Sequence, residues 1–167
     1  MRVSGQSELD SQVLRIANPI SENYAVVRAS SLPSLLRCEV ASSHAAYPHR
    51  LFEVGKIVRR DAGENTGTVS QTHLGFLFAD GSAGFNEVSE HLAGLLYYLR
   101  IAYRLRSCTD PRFAPGRAAE IMAGADDVVV GRIGELHPEA LEAWAIQVPC
   151  AACELELEQL VALANSS

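Results

Sequence analysis

The stretch from Phe113 to Leu160 constrains the fold more than any other part of this chain. The stretch reads as a strand over Ala118–Met122 and, after a turn, a second over Val128–Ile133. His137-Pro138 then opens a helix over Glu139–Ala145, since proline is tolerated in a first turn, where its missing N–H has no intrahelical partner to lose. A further strand follows over Ala151–Leu157. Two pieces within the stretch, PGRAAEI at Pro115–Ile121 and GRIGELHPEAL at Gly131–Leu141, specify glycine, proline and charge in more detail than scaffolding requires.

The same reading applied upstream yields a short strand over Val13–Ala17 that stops at Asn18-Pro19, where the proline disfavours helix. Ser21 is placed to cap a turn through Tyr24, and Ser31 with Pro33 opens a helix to about Ser43. Leu51–Arg60 and Thr72–Ala79 are expected to pair as antiparallel neighbours across the polar, glycine-bearing loop DAGENTGT. Phe85–Arg100 is the clearest amphipathic helix, with Phe85, Val88, Leu92, Leu95, Leu96 and Leu99 on one face. Tyr103–Cys108 returns as a strand. The sum is about six strands and three or four helices. That predicts an α+β domain with a mostly antiparallel sheet flanked by helices. Residues 1–12 form a polar N-terminal segment, residues 13–163 the core domain and residues 164–167 a frayed tail.

At 167 residues the chain can close one sizeable core. Its net charge of −6 argues against a dedicated nucleic-acid binder, which needs a clustered basic surface. Two basic groups, Lys56 with Arg59 and Arg60, and Arg100 with Arg104 and Arg106, fit a solvated surface. No apolar run reaches the length of a membrane span and no signal peptide is apparent, so a soluble cytoplasmic protein is expected. Cys150 and Cys153 have CxxC spacing, but Cys38 and Cys108 stand alone, and VPCAACELEL has the character of a core strand; no metal is implied.

Other candidate sites are weaker. His44 and His49 flank Tyr47-Pro48 without a carboxylate at helical spacing, which suits a loop rather than a metal pair. Ser34, Ser42 and Ser43 lack the glycine context of a nucleophile elbow. Glu135 and His137 share a face simply through period two. Arg117 and Glu120 stand out as a charged pair beside an apolar strand, suited to a buried or interfacial ion pair. Loss of such a pair costs about 3 kcal/mol.

Four blocks in order carry a resemblance. The first is RIANPISENYAVVRASSLPSLLR, with Asn18, Pro19, Glu22, Arg28, Leu32, Pro33, Leu35 and Leu36; the second is LFEVGKIV, with Phe52, Glu53 and Gly55. The third is GFNEVSEHLAGLL, and the last carries Pro115, Gly116, Arg117, Ala119, Glu120, Gly131, Gly134, His137 and Pro138. Together they resemble the class II synthetase-like core domain of the phenylalanyl-tRNA synthetase beta subunit family, over roughly Val13 to Leu163. FAPGR and the lack of insertions look more like its archaeal or eukaryotic form.

The resemblance implies a class II-like sheet with no catalysis of its own, inside a longer cytoplasmic ligase that attaches phenylalanine to tRNA. The implied partner is the alpha subunit, in a heterotetramer that meets tRNA through the assembled enzyme. ATP and Mg are implied for the whole enzyme and none for this domain. A class II site needs arginines to hold phosphates, one of them in a strand-helix motif of the form Gly-x-Gly-x-x-Arg, because a pentavalent phosphoryl centre requires electrostatic stabilisation. The matching end here, CELELEQLVAL, has no glycine; Gln159 or a neighbour replaces the arginine, and Glu154, Glu156 and Glu158 repel a triphosphate. His137 is implied to mark the strand-to-helix turn. A stand-alone ligand-binding protein or enzyme on the same fold is the alternative. Class II cores associate through the face around the first long helix. Leu32, Leu35, Leu36 and Val40 give that helix a core face, while Ala41, Ala45, Ala46 and Tyr47 extend apolar surface beyond it. A homodimer or weak self-association, displaced by the alpha subunit, is therefore expected in isolation.

Overall fold

The computed structural model describes residues 14–20 and 25–166; the polar segment 1–12, Glu22 and the turn expected over Ser21–Tyr24 lie outside the described residues. Six strands form one sheet in the order β3-β4-β8-β7-β6-β5, and every neighbouring pair is antiparallel. In chain order these are β3 (His49–Arg60), β4 (Thr68–Ala79), β5 (Tyr103–Ser107), β6 (Phe113–Ala123), β7 (Val128–Leu136) and β8 (Cys150–Glu156). A small ladder of β1 (Leu14–Arg15) and β2 (Val26–Val27) precedes them. Four helices are described: α1 (Leu32–Ala41), α2 (Phe85–Tyr98), α3 (Pro138–Ala143) and α4 (Leu157–Asn165). The last runs through Ala164 and Asn165, into the stretch expected as tail.

The sheet is covered on both faces, and period two decides which side chain goes where. Val88, Leu92 and Leu96 of α2, with Leu160 of α4, pack on Ile121, Ile133, Ala151, Cys153 and Leu155. On the other face Leu32, Leu35 and Leu36 of α1, with Leu141 of α3, pack on Leu77, Phe113, Ala118, Cys150 and Ala152. Strand β8 lies inside both layers, which is why its sequence is almost continuously apolar. Cys150 and Cys153, three residues apart, therefore point to opposite faces and cannot meet on one ion. Both thiols are free and buried, and burial, with Glu39 nearby, pushes the Cys150 thiol up to about 12. It is an inert core thiol.

Helix α1 is rotated relative to the sequence reading. Its buried positions are Leu32, Leu35, Leu36 and Glu39, while Val40 is exposed. A carboxylate thus takes the place expected for the valine. Helix α2 is capped by Glu87, whose carboxylate accepts the Gly84 N–H at 3.0 Å, and by Glu135, which accepts the Phe85 N–H at 3.0 Å. It ends at Tyr98 because Arg100 takes a left-handed φ of 57°.

Strand β6 starts earlier than the sequence reading placed it. The pairing shifts between Phe113, opposite Leu136, and Ala118, opposite Gly134. Pro115 and Gly116 lie in this bulge, Gly116 with φ of 73°, so residues that look like strand breakers bend the strand without ending it. The bulge presses on Gly134, where a Cβ would stand 2.7 Å from the Arg117 carbonyl oxygen and 2.7 Å from the Phe113 ring.

Candidate functional site

The most organised polar structure lies on the α1 side of the sheet, along one row of the strand register. Gly75 is opposite both Glu53 and Glu154; Glu154 is opposite Arg132, Arg132 opposite Glu120, and Glu120 opposite Arg106. From β8 to β5 the charges alternate in sign. Cross-strand neighbours of opposite charge reinforce register.

Glu154 is the buried centre, with a side chain 3% exposed. Its Oε1 accepts the Ser31 N–H at 2.5 Å and the Ser31 hydroxyl at 2.9 Å. Its Oε2 accepts from the Ser30 hydroxyl at 3.1 Å and from Arg112 Nη1 at 2.9 Å. His73 Nδ1 stands 3.4 Å from Oε1. Ser31 is the N-cap of α1, so the carboxylate also meets the positive end of that helix. Burial alone would push the Glu154 carboxyl up. The contacts from His73, Arg112 and Ser31 outweigh it and hold the group well below the usual carboxylate range.

Arg112 joins this centre to the rest. Its Nη2 donates to Asp110 Oδ2 at 2.7 Å and its Nε to Oδ1 at 3.0 Å, while Asp110 also lies 3.4 Å from Arg132. Burial opposes the charge on both Arg112 and Asp110, yet their mutual contacts win: the guanidinium is raised and the carboxyl lowered. Farther out, Glu120 accepts from Arg106 at 2.6 Å and Arg132 at 3.3 Å. The Arg106 contact leads in holding the Glu120 carboxyl low.

Apart from Arg117 and Glu120, the residues singled out from the sequence divide into four groups. Arg28, Glu53 and Gly55 come together: Arg28 pairs with Glu53, donates to the Lys56 carbonyl at 2.9 Å and to Ser34 Oγ at 2.9 Å, and lies across Gly55, where a Cβ would collide with the guanidinium. Pro115, Gly116 and Gly134 shape the β6 bulge. His137 caps α3, its Nδ1 accepting the Glu139 N–H at 3.3 Å, with Pro138 as the first helical residue. Asn18, Pro19 and Phe52 are exposed, Phe52 on the face opposite Glu53.

One pairing is corrected. Arg117 does not pair with Glu120, because residues three apart on one strand point to opposite faces of the sheet. It is 64% exposed and lies 3.8 Å from Glu135, while Glu120 is taken by Arg106 and Arg132. Arg117→Ala is therefore expected to change stability by no more than about 0.5 kcal/mol, not the 3 kcal/mol of a buried pair. Urea denaturation checks this, and a midpoint loss matching the larger figure would show the pair to be structural after all.

The sequence reading also missed residues. His49 is not in a loop: it opens β3, is buried, and its Nδ1 meets Glu39 Oε2 at 2.9 Å and Oε1 at 3.1 Å. Tyr47 donates its hydroxyl to Glu39 at 3.1 Å and stacks on the His49 ring at 4.1 Å. No local pattern points to His73, Asp110, Arg112 or Arg132, and Ser31, expected as the start of α1, also binds Glu154. Only β8 carried a signal, since period two puts Glu154 on the same face as Cys150 and Ala152. Among the described residues no group of three or more His, Cys, Asp or Glu could hold a metal ion, and no helix is long and apolar enough to cross a membrane.

Residues 2–157 match the family model described as the phenylalanyl tRNA synthetase beta chain CLM domain. The chain is similar to the phenylalanine–tRNA ligase beta subunit of Treponema pallidum, 43% identical over 149 residues, 89% of this chain and 24% of that protein. It is similar to the subunit of the same name from Borrelia hermsii, 37% identical over 150 residues, 90% of this chain and 26% of that protein. The chain thus spans about a quarter of the length of the curated relatives it matches.

Proposed function

The chain belongs to the phenylalanyl tRNA synthetase beta chain CLM domain family, and from that membership we propose that it is a non-catalytic core that supports a catalytic alpha subunit as phenylalanine is attached to tRNA. On this reading it works in the cytoplasm and contacts tRNA only through the assembled enzyme. ATP and Mg are not its ligands.

What supports the reading is Glu154. A phosphate-binding strand-helix of the form Gly-x-Gly-x-x-Arg has glycines where the triphosphate approaches and an arginine to hold it. Here β8 runs straight into α4, as such a motif does, but carries Glu154, Glu156 and Gln159. Glu154 fills the approach with a buried negative charge held by the start of α1 and by Arg112. Glu156 accepts from Gln159 at 2.8 Å, and Glu158 accepts the Thr72 N–H at 2.9 Å, so all three carboxylates hold structure in place. The residues present do not fit a triphosphate.

The test is reconstitution. Full-length beta subunit carrying this domain is expected to co-purify with its alpha subunit and to support phenylalanine-dependent pyrophosphate exchange. The domain alone is expected to show no exchange and no stoichiometric binding of ATP by calorimetry. Exchange by the isolated domain would overturn the reading. Light scattering on the isolated domain is expected to show weak self-association that alpha subunit abolishes; a constant monomer mass with no alpha binding would remove the partnership.

A further inference from the structure

The two edges of the main sheet differ. Strand β5 is short, and Arg104 and Arg106 project from it into ion pairs with Asp127 and Glu120, charges that discourage a further strand. Strand β3 is 12 residues long and lacks that protection over its first half. Phe52 is 77% exposed and Val54 54% exposed, on the face where α2 packs over β6, β7 and β8 and leaves β3 uncovered. The main chain is open there as well. The Val58 N–H donates to the Arg28 carbonyl at 3.0 Å and the Lys56 carbonyl accepts from Arg28 Nε at 2.9 Å. The even-numbered residues of β3 therefore direct their N–H and C=O groups away from β4. Arg28 closes this edge at Lys56 and Val58, and at the other end Pro48 has no N–H to offer. Between these limits the main-chain groups of Arg50, Phe52 and Val54 have no partner among the described residues. An apolar strand with an unpaired main chain is a template for another strand.

We propose that this edge pairs with the same edge of a second copy of the chain, antiparallel about a two-fold axis at Phe52. The bounded edge selects both the partner and the register. Pairing about Phe52 sets Phe52 opposite Phe52 of the partner subunit and Arg50 opposite the partner's Val54. It is the one two-fold register that engages every open residue, and each open N–H then meets an open C=O. The side chains accept it on both faces. Leu51 comes opposite the partner's Glu53, so no like charges meet directly. Glu53 stays with Arg28, and the Arg50 guanidinium lies over the Phe78 ring, 5.5 Å from its centre. Phe52 is left at the centre of the contact, where an aromatic pair across the axis covers the apolar surface that each copy otherwise exposes.

This contact gives a surface to the self-association expected of the isolated domain and rests on that part of the reading alone; alpha-subunit binding does not enter it. The experiment follows the 167-residue chain over a concentration series by light scattering and amide hydrogen exchange. A weak dimer is expected, half-formed at roughly 100 μM as suits a small contact. The Arg50, Phe52 and Val54 amides are expected to exchange about tenfold more slowly, or slower still, in concentrated than in dilute solution. Phe52→Lys sets two positive charges against each other at the axis and is expected to weaken the dimer about tenfold or more, with folding intact because the position is exposed. Leu105→Lys, on the β5 edge, is expected to leave the dimer unchanged. A constant monomer mass would overturn the proposal, and if that monomer still co-purifies with alpha subunit the assembly role stands. A dimer that survives Phe52→Lys, or that leaves these amides in fast exchange, forms through another surface and would overturn it too. Protection of the same amides by alpha subunit but not by a second copy would assign the edge to the alpha subunit and overturn the self-pairing.

Discussion

Glu154→Ala is expected to destabilise the domain by about 3–5 kcal/mol, the usual cost of removing one partner from a buried ion pair. The loss has two parts. Arg112, 19% exposed, keeps Asp110 but loses half of its counter-charge, and the Ser31 N–H and hydroxyl at the start of α1 lose their acceptor inside the protein. Glu154→Gln keeps the shape but not the charge, and is expected to fall between wild type and Glu154→Ala. Chemical denaturation measures the difference. A loss below about 1 kcal/mol for Glu154→Ala would mean that the Arg112–Asp110 pair alone holds this side of the sheet.

The same carboxylate sets a pH dependence. The folded-state pKa of Glu154 is depressed, as is that of Asp110, while unfolded carboxyls titrate near about 4. Below that range the unfolded chain binds more protons than the folded one, so stability falls with pH. The contribution is complete above the ordinary carboxylate range and is lost as pH drops through it toward the folded values. In Glu154→Ala the slope of stability against pH in the acid range is expected to be shallower. Equal slopes in the two proteins would place the acid sensitivity elsewhere.

Glu39→Ala is expected to cost about 3 kcal/mol, because Glu39 is 1% exposed and its removal strands the His49 Nδ1 and the Tyr47 hydroxyl beneath α1. His49→Leu alone leaves the buried carboxylate with the Tyr47 hydroxyl and no ring nitrogen, and is expected to cost a similar amount. Replacing both by leucine removes the polar pair together, which is often close to neutral when volume is kept. A double-mutant cycle decides it, with a coupling of roughly 2 kcal/mol expected and a value under about 0.5 kcal/mol arguing that the two groups are independently hydrated.

These two carboxylates also mark where sequence reasoning stopped. Every strand of the main sheet was legible, as were α2 and the His137-Pro138 start of α3, because period two and period 3.6 are local properties of the chain. The start of β6 was not, because Pro115 and Gly116 read as breakers until the bulge over Gly134 is seen. Val40 and Glu39 are neighbours on one helix, and a small rotation of α1 about its axis decides which is buried. Hydrophobicity favours Val40; the pairing of Glu39 with His49, ten residues on, decides for Glu39.

Arg117 and Glu120 show the same limit from the other side. Three residues apart in sequence, they looked like a pair, yet each finds its partner on another strand: Arg117 on Glu135, Glu120 on Arg106 and Arg132. The α+β class, the order of most elements and the family blocks follow from local pattern, because hydrophobic spacing and turn residues act within a few positions of themselves. Ser31, His73, Arg112, Arg132 and Glu154, spread across most of the sequence, converge on one face of the sheet only through long-range packing. Strand order places β8 between β4 and β7, and no local pattern encodes which strands become neighbours; long-range pairing does, through the burial of both faces of β8.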